Sequence, residues 1–493
     1  MTKAWLGSIA LVALVAGNAA FARDKPVQPL PYVAPVASNW SGLYAGVNAG
    51  YGVGDDRSTL ASFVNPAIGF DNLESYKISP MGFLGGAQLG YNWQTGIWVW
   101  GLETDFQGTS QRDSVCVLTC SNNGTFNAIV TQTLPWFGTT RGRFGVAVDR
   151  SLLYVTGGLA YGEVQTNVRE TDGPTTAARA NRVKSGWAIG GGIESAVVGN
   201  WTVKVEYLYV DLGSQTLSFV DAFGPPGAIA ATADAKDHII RAGLNYRFGG
   251  PAGVVTNLPV RASYAPLLTS TWTGFYVGAN VGYGVARDST LYAENAPFFV
   301  TGQTETFKIM PSGVLGGGQV GYNWQFGRLV AGFESDIQAS TMADSACVFG
   351  CVNAFFIDVG NVQQRLPWFG TSRARLGYVS DSSAMFYLTG GVAYGRTETN
   401  ITHLLGAAPQ FSLSTSQTKT GWTLGGGVEV PVAHNWKVRA EYLYIDLGSQ
   451  TIAFSPLPLL SVGVSSAYRE NIFRVGANYT FDWGLPTVAV AAR

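Results

Sequence analysis

The chain has 493 residues, a formal net charge of -1 and only 13% charged residues, so it offers no electrostatic basis for binding nucleic acid. It is rich in glycine, with 63 residues, and in aromatic side chains, at 13%. After the N-terminal segment, no run approaches the ~18 consecutive apolar residues that a membrane-spanning helix needs. Composition therefore excludes a nucleic-acid-binding protein and a helical membrane protein.

Residues 1–22 are predicted to be a secretory signal peptide. Lys3 gives a basic start, Leu6 to Ala16 form a short apolar core, and Ala20-Phe21-Ala22 match a small-residue cleavage site. We therefore expect export into an oxidising compartment, where disulfide bonds persist.

The first long segment, residues 36–249, alternates apolar and polar residues with a period of two, which is typical of strands with one apolar face and one polar face. Between Trp201 and Asp211 the odd positions are apolar or aromatic, while Thr202, Lys204 and Glu206 are polar. Each such run is long enough for the ~9–11 residues of a membrane-spanning strand. Seven further runs make eight strands: Trp40 to Val53, Tyr76 to Gln94, Ile97 to Thr109, Thr131 to Val148, Ser151 to Asn167, Lys184 to Val198 and Lys236 to Phe248.

The connections between these strands alternate between short and long, as in barrels with short periplasmic turns and longer outer loops. Tight turns are predicted at Gln94 to Gly96, Asp149-Arg150 and Gly199-Asn200. Long outer loops are predicted at Asp55 to Ser75, Gln111 to Ala128, Val168 to Arg182 and Gly213 to Ala235, with Asp288 to Thr306 as the second-copy counterpart of the first of them.

Each long cysteine-bearing loop carries one short pair, Cys116 with Cys120 and Cys347 with Cys351. Four cysteines allow three connectivities, and the spacing favours a local disulfide in each loop. A metal-binding fragment is the alternative, but no histidine cluster accompanies either pair.

The polar faces place equal numbers of acidic and basic side chains inside each predicted barrel. Buried charges are costly unless paired, so we predict ion pairs across the lumen, with a selective pore as the alternative. Glycines on the same faces, among them Gly86, Gly90, Gly190 and Gly192, are expected to make room for arginine side chains. The predicted network comprises Glu103, Asp105, Glu194, Glu206, Arg141, Arg143, Lys204 and Arg241 in the first copy, and Glu334, Asp336, Glu429, Glu441, Arg373, Arg375, Arg439 and Arg474 in the second.

The chain contains two copies of one domain. Asn39 to Tyr44 recurs as Thr271 to Tyr276, and Glu206 to Thr216 recurs as Glu441 to Thr451. The predicted arrangement is copy 1 at 36–249, a periplasmic linker at 250–267, copy 2 at 268–482 and a tail at 483–493. We predict an all-β protein with two tandem eight-stranded barrels. The alternative is one sixteen-stranded barrel, which the closing aromatic Phe248 and the separately balanced charges disfavour.

The opening Trp40 to Gly52, Gly90-Tyr91-Asn92-Trp93, Arg141 to Gly145 and Glu206 to Gly213 resemble the porin-like surface-antigen barrels of alphaproteobacteria. This resemblance covers most of both copies. It implies an OmpA-like eight-stranded barrel at the cell surface, with a role in envelope integrity, adhesion or host contact, and no catalytic residues.

The three histidines, His238, His403 and His434, are not shared between the copies and are interpreted as ordinary surface residues. We therefore predict no enzyme, cofactor or metal site. The expected partners are outer-membrane lipid, the outer-membrane assembly machinery and host or neighbouring surface molecules, with no nucleic acid. The alternative function is a small-solute channel.

Overall fold

A computed structural model describes residues 39–63, 71–118, 127–170, 177–220, 228–248, 271–296, 300–348, 358–405, 408–433, 435–457 and 460–481. The predicted signal peptide, linker and tail lie outside these ranges. Among the described residues, no helix has the length and apolar character needed to cross a membrane.

The first copy consists of ten strands. They are β1 Gly42–Gly54, β2 Asp56–Phe63, β3 Asp71–Ile78, β4 Met81–Thr95, β5 Trp98–Leu118, β6 Asn127–Val148, β7 Ser151–Glu170, β8 Ala177–Val198, β9 Trp201–Val220 and β10 Ala228–Arg247.

The second copy repeats this arrangement with ten strands of its own. They are β11 Gly274–Ala286, β12 Asp288–Ala296, β13 Val300–Ile309, β14 Ser312–Phe326, β15 Leu329–Val348, β16 Asp358–Val379, β17 Met385–Leu405, β18 Ala408–Pro431, β19 Trp436–Leu457 and β20 Leu460–Thr480.

Eight strands of each copy close into a ring. In the first copy the order is β1-β4-β5-β6-β7-β8-β9-β10, and β1 pairs antiparallel with β10 from Tyr44↔Arg247 to Gly54↔Asp237. In the second copy β11 pairs with β20 in the same way. The prediction of two eight-stranded barrels is confirmed, and the sixteen-stranded alternative is wrong because each copy hydrogen-bonds its first ring strand to its own last one.

The prediction that Asp55 to Ser75 and Asp288 to Thr306 are loops is wrong for most of their length. Residues 56–63 and 71–78 form the antiparallel pair β2 and β3, and β2 also pairs with the first part of β10, beyond the point where β10 leaves β1. The second copy does the same with β12, β13 and β20. The segment continues the sheet because a bare β10 edge would leave its backbone groups unpaired.

The other predicted long loops are also partly strand. The strands β5 to β10 are 20–22 residues long, roughly twice the ~9–11 residues that suffice to cross a membrane. The end of each barrel that carries these extensions is called the loop end. The opposite end, where Gly96, Asp149 and Gly199 take positive φ in tight turns, is called the turn end.

The strand faces follow the sequence alternation. Side chains such as Phe83, Phe106 and Leu159 point outward and are at least half exposed, while polar side chains point into the lumen. A register shift between Thr133 and Trp136 marks a bulge that contains Pro135, where the ring nitrogen has no proton to donate to a ladder.

Candidate functional site: the charged lumen

The lumen charges come from inward positions two residues apart on adjacent strands. Glu103 and Asp105 lie on β5, and Arg141 and Arg143 lie on β6. The β5–β6 register places Glu103 directly opposite Arg141. The alternation that makes one face of each strand apolar therefore also brings acids and bases together inside the ring.

Arg141 is the central cation of the first lumen. Its guanidinium lies 2.7 Å from Glu103, 2.9 Å from Asp105 and 3.1 Å from Glu206, and all four side chains are fully buried. The planar guanidinium group has several N–H donors that point in different directions, so it can contact three carboxylates at once. This contact set joins three strands through one side chain.

Lys204 and Arg241 complete the balance of charge. The Lys204 ammonium lies 2.8 Å from Glu103, and the Arg241 guanidinium lies 2.6 Å from Glu206 and 2.8 Å from Asp105. Each carboxylate in this group therefore contacts more than one cation, which offsets the desolvation cost of burying it.

Arg143 lies at the turn-end side of the network. It contacts Glu194 at 2.7 Å and donates a hydrogen bond of 2.6 Å to the Tyr44 hydroxyl. Its guanidinium also lies over the Tyr154 ring, 4.0 Å from the centroid, and the Tyr154 hydroxyl donates to Glu206 at 2.9 Å. Cation–π contact and hydrogen bonds thus fix this cation in addition to its ion pair.

The second lumen repeats the arrangement. Arg373 lies 2.8 Å from Asp336 and 3.0 Å from Glu441, and Arg474 lies 2.6 Å from Glu441. The remaining pairs of this network are Arg373 with Glu334, Arg375 with Glu429 and Glu334, Arg439 with Glu334 and Glu441, and Arg474 with Asp336 and Glu334. The one change of cation type is Arg439, which occupies the position of Lys204.

Apolar side chains close the lumen on both sides of the charges. Toward the loop end, Phe137, Leu208 and Ile239 point inward and are fully buried in one cluster. Toward the turn end, Trp40 is fully buried against Leu152 and other apolar side chains. The lumen of an eight-stranded ring is just wide enough for side chains to fill, and these layers fill it.

Similarity to known proteins decides the family. The family Outer membrane protein beta-barrel domain matches residues 8–248 and 258–481, which together make up most of the chain. The chain belongs to this family. It is an outer-membrane β-barrel protein, and it carries the family's domain twice.

Named relatives agree with this assignment. The chain is 37% identical over 253 residues to the 31 kDa outer-membrane immunogenic protein of Brucella melitensis, covering 49% of this chain and 98% of the relative. It is 31% identical over 194 residues to the 22 kDa outer membrane protein of Rhizobium leguminosarum, covering 39% of this chain and 71% of the relative.

Among solved structures, Neisserial surface protein A is 15% identical, with coverage of 42% of this chain and 98% of that protein. The TM-score of this match is 0.22.

In this outer-membrane protein the four lumen glycines named from the sequence adjoin backbone atoms and side chains other than the expected arginine side chains. A Cβ atom at Gly90 would lie 2.3 Å from the Tyr44 hydroxyl, and one at Gly192 would lie 2.8 Å from the Tyr154 hydroxyl. At Gly86 the crowding atoms belong to Phe106 and Gln107, and at Gly190 to Tyr207 and Leu208. These four glycines therefore accommodate neighbours other than the lumen arginines.

Several lumen residues were not identified from the sequence. Tyr44 and Tyr154 hydrogen-bond to Glu103 and Glu206, and Thr139 donates to Asp105. Tyrosine occurs on both faces of these strands, so its residue type did not mark it as a lumen group. The available signal was strand parity, since Tyr154 lies an even number of residues before the inward Thr156 on β7.

The cysteines are only partly described. Cys116 and Cys347 are disulfide-bonded, while Cys120 and Cys351 lie outside the described residues. The local pairing within each loop therefore stays a prediction.

The interpretation of His238 as a surface histidine is wrong, because only 4% of the residue is exposed. Its chain neighbours Asp237 and Ile239 point into the lumen, so His238 points outward. The outer wall of the second barrel covers it there. His434 and the side chain of His403 lie outside what the structure describes.

Proposed function

We propose that this outer-membrane protein is a non-enzymatic surface barrel that stabilises the envelope and displays its loop-end extensions for adhesion or host contact. The observation that carries this proposal is the filled lumen. Arg141 and its three carboxylates span the ring, with the buried Phe137 layer above them and the Trp40 layer below. A barrel with a filled lumen can present function only on its outer surfaces.

The strand extensions support a display role. Bacterial barrels keep their short turns in the periplasm and their long connections outside the cell, so the extensions of β5 to β10 and the β2–β3 hairpin project from the cell surface. Host or neighbouring surface molecules are the proposed partners there, with outer-membrane lipid around the barrel and the assembly machinery acting during insertion.

The relatives from Brucella are named as immunogenic outer-membrane proteins, and we extend the role of surface antigen to this chain by analogy. The lumen acids support no role as a catalytic base, because Glu103, Asp105 and Glu206 are each held by more than one cation. No observation favours the alternative of a small-solute channel over display.

The first test combines conductance with surface labelling. Purified protein in planar bilayers should give no stable openings, and stable openings of the unmodified protein would favour the channel instead. An epitope inserted after Phe63, between β2 and β3, should bind antibody on intact cells, whereas one inserted at the Gly199-Asn200 turn should bind only after permeabilisation. The matched insertions control for expression, and equal labelling of the two on intact cells would contradict the proposed orientation.

A further inference from the structure

The two barrels touch through their outer surfaces, and two of the ion pairs between them are reciprocal, while a third, Arg287 with Asp113, has no first-copy equivalent. Lys77 of the first copy contacts Asp344 of the second, and Lys308 of the second contacts Asp113 of the first. Lys77 and Lys308 occupy equivalent positions in the two copies, as do Asp113 and Asp344. Contacts in which i meets j and j meets i are the mark of an isologous, two-fold interface.

A buried apolar core lies between the barrels and has the same symmetry. Ile193 packs in one cluster with Val428, its own counterpart in the second copy, so this pair lies near the pseudo-two-fold axis. Leu153 and Val205 join the cluster together with their counterparts Phe386 and Ala440. These side chains point away from their lumens, because the adjacent glutamates on β8 and β18 point inward.

Outward-facing apolar side chains at this contact surface are buried, whereas those elsewhere on the outer wall are exposed. Ile193 is 4% exposed, whereas Ile189, on the same face of the same strand, is 55% exposed. Val428 is fully buried. The apolar side chains at the contact are thus shielded by the other barrel, while their strand neighbours remain available to lipid.

Polar groups also lie on this outer surface, where contact with hydrocarbon would be unfavourable. His238 stacks on Tyr283 of the second copy, with ring centroids 4.9 Å apart and an interplanar angle of 11°. Its Nδ1 atom lies 2.7 Å from the Tyr207 hydroxyl. The second copy has Asn471 at the same position, and Tyr442 donates a 2.8 Å hydrogen bond to it.

We propose that the two barrels pack side by side in the outer membrane as a pseudo-dimer within one chain. The contact surface of each barrel binds the other barrel. Lipid tails are as apolar as the barrel walls, so association within a membrane depends on close packing and polar contacts rather than on the hydrophobic effect. The contact between the barrels supplies close packing and polar contacts. The covalent connection also raises the effective concentration of each barrel for the other. The loop ends of the two copies then form one composite surface.

The first experiment uses the unmodified protein in outer-membrane vesicles. A zero-length carbodiimide joins contacting amines and carboxylates, so the monomer-sized product should contain peptides linked between Lys77 and Asp344 and between Lys308 and Asp113. Lys77→Arg keeps the charge and removes the reactive amine, so it should abolish the first link and leave the second. Lys308→Arg should do the reverse.

The second experiment tests the intramembrane core. The variant Ile193→Cys/Val428→Cys is oxidised in membranes and then cut at a protease site placed within 250–267. The halves should remain joined on a non-reducing gel. The matched control Phe106→Cys/Val428→Cys uses an outer-wall position that is 53% exposed on β5, and its halves should separate. Heat-modifiability of each variant verifies that both barrels have folded.

The proposal stands only if both reciprocal carbodiimide links and the 193–428 bond form within one chain. Absence of any of them, linkage only in dimer-sized products, or equal linkage of the control pair would overturn it.

Discussion

In the first lumen the Nη2 atom of Arg141 lies 2.7 Å from the Oε1 atom of Glu103, and neither side chain is exposed. The same carboxylate lies 2.8 Å from the Lys204 ammonium and accepts a 2.8 Å hydrogen bond from Tyr44. Arg143 and Arg241 lie farther away, at 3.5 and 3.6 Å, so Glu103 is shared by four cations and a hydroxyl. Its removal would leave the buried network with one more cation than carboxylates.

Glu103→Gln should strongly destabilise the first barrel. The amide keeps the shape of the side chain but cannot neutralise Arg141 and Lys204, and breaking a buried ion pair from one side costs about 3–5 kcal/mol. Urea unfolding in lipid vesicles, followed by loss of the folded band on a heat-modifiability gel, measures the change in free energy of unfolding.

The second copy supplies the matched control for that substitution. Glu334→Gln should lower the stability of the second barrel by a similar amount, since Glu334 contacts Arg373, Arg375 and Arg439. Proteolytic separation of the copies within 250–267 assigns each loss to a barrel. A loss below about 1 kcal/mol for both variants would show that these pairs are not stabilising.

Lys204→Arg should be tolerated, because the equivalent position in the second copy is already Arg439, fully buried against Glu334. We expect a change within about 1 kcal/mol, since both side chains keep the positive charge in contact with a carboxylate. Lys204→Met, which keeps most of the length and loses the charge, should be the more destabilising of the two in the same urea experiment. Equal losses would mean that shape, and not charge, decides this position.

The sequence was sufficient to predict both rings and the lumen charges, because strand parity fixes which side chains face inward. Lys204 and Glu206 alternate with Val205 and Tyr207, and the structure places them on opposite sides of the β9 wall. Charged residues are informative here because only one face of the strand can accept them.

The sequence was insufficient where residue type does not determine the face or the partner. Tyr44 and Tyr207 are the same residue type, yet one hydrogen-bonds in the lumen and the other packs against Phe473 of the second barrel. The sequence predicts a loop at β2 and β3 because the pairing of these strands depends on the edge that β10 presents, which a local pattern does not reveal. Contact between the barrels is likewise a long-range property of two outer surfaces.

Gly90→Ala should destabilise the first barrel through the position of the Tyr44 ring. The new Cβ would lie 2.3 Å from the tyrosine hydroxyl and 2.7 Å from the Leu102 carbonyl oxygen, so the ring must move away from Glu103. Overpacking of this kind costs about 1–3 kcal/mol. Gly85→Ala is the control, because its Cβ points outward and its nearest neighbour is 3.6 Å away. A similar loss for both variants would attribute the effect to strand glycine in general.

Leu159→Arg should destabilise the first barrel in the membrane, because Leu159 lies on the outer face of β7 and is 68% exposed. It pairs with Thr140, the residue before Arg141, so it lies at the depth of the lumen charges. Arginine on the lipid face near the bilayer midplane costs about 2–4 kcal/mol, and the cost falls toward the interfaces.

The matched control for Leu159→Arg is Trp98→Arg, at the turn end of β5 and 50% exposed, where the charge can reach water. Reversible urea unfolding in lipid vesicles should therefore show a larger loss for Leu159→Arg than for Trp98→Arg. The same comparison in a detergent micelle should narrow the difference, because detergent lets water reach the charge at either depth. A larger loss for Trp98→Arg in vesicles would place the membrane-embedded band nearer the turn end than the position of Leu159.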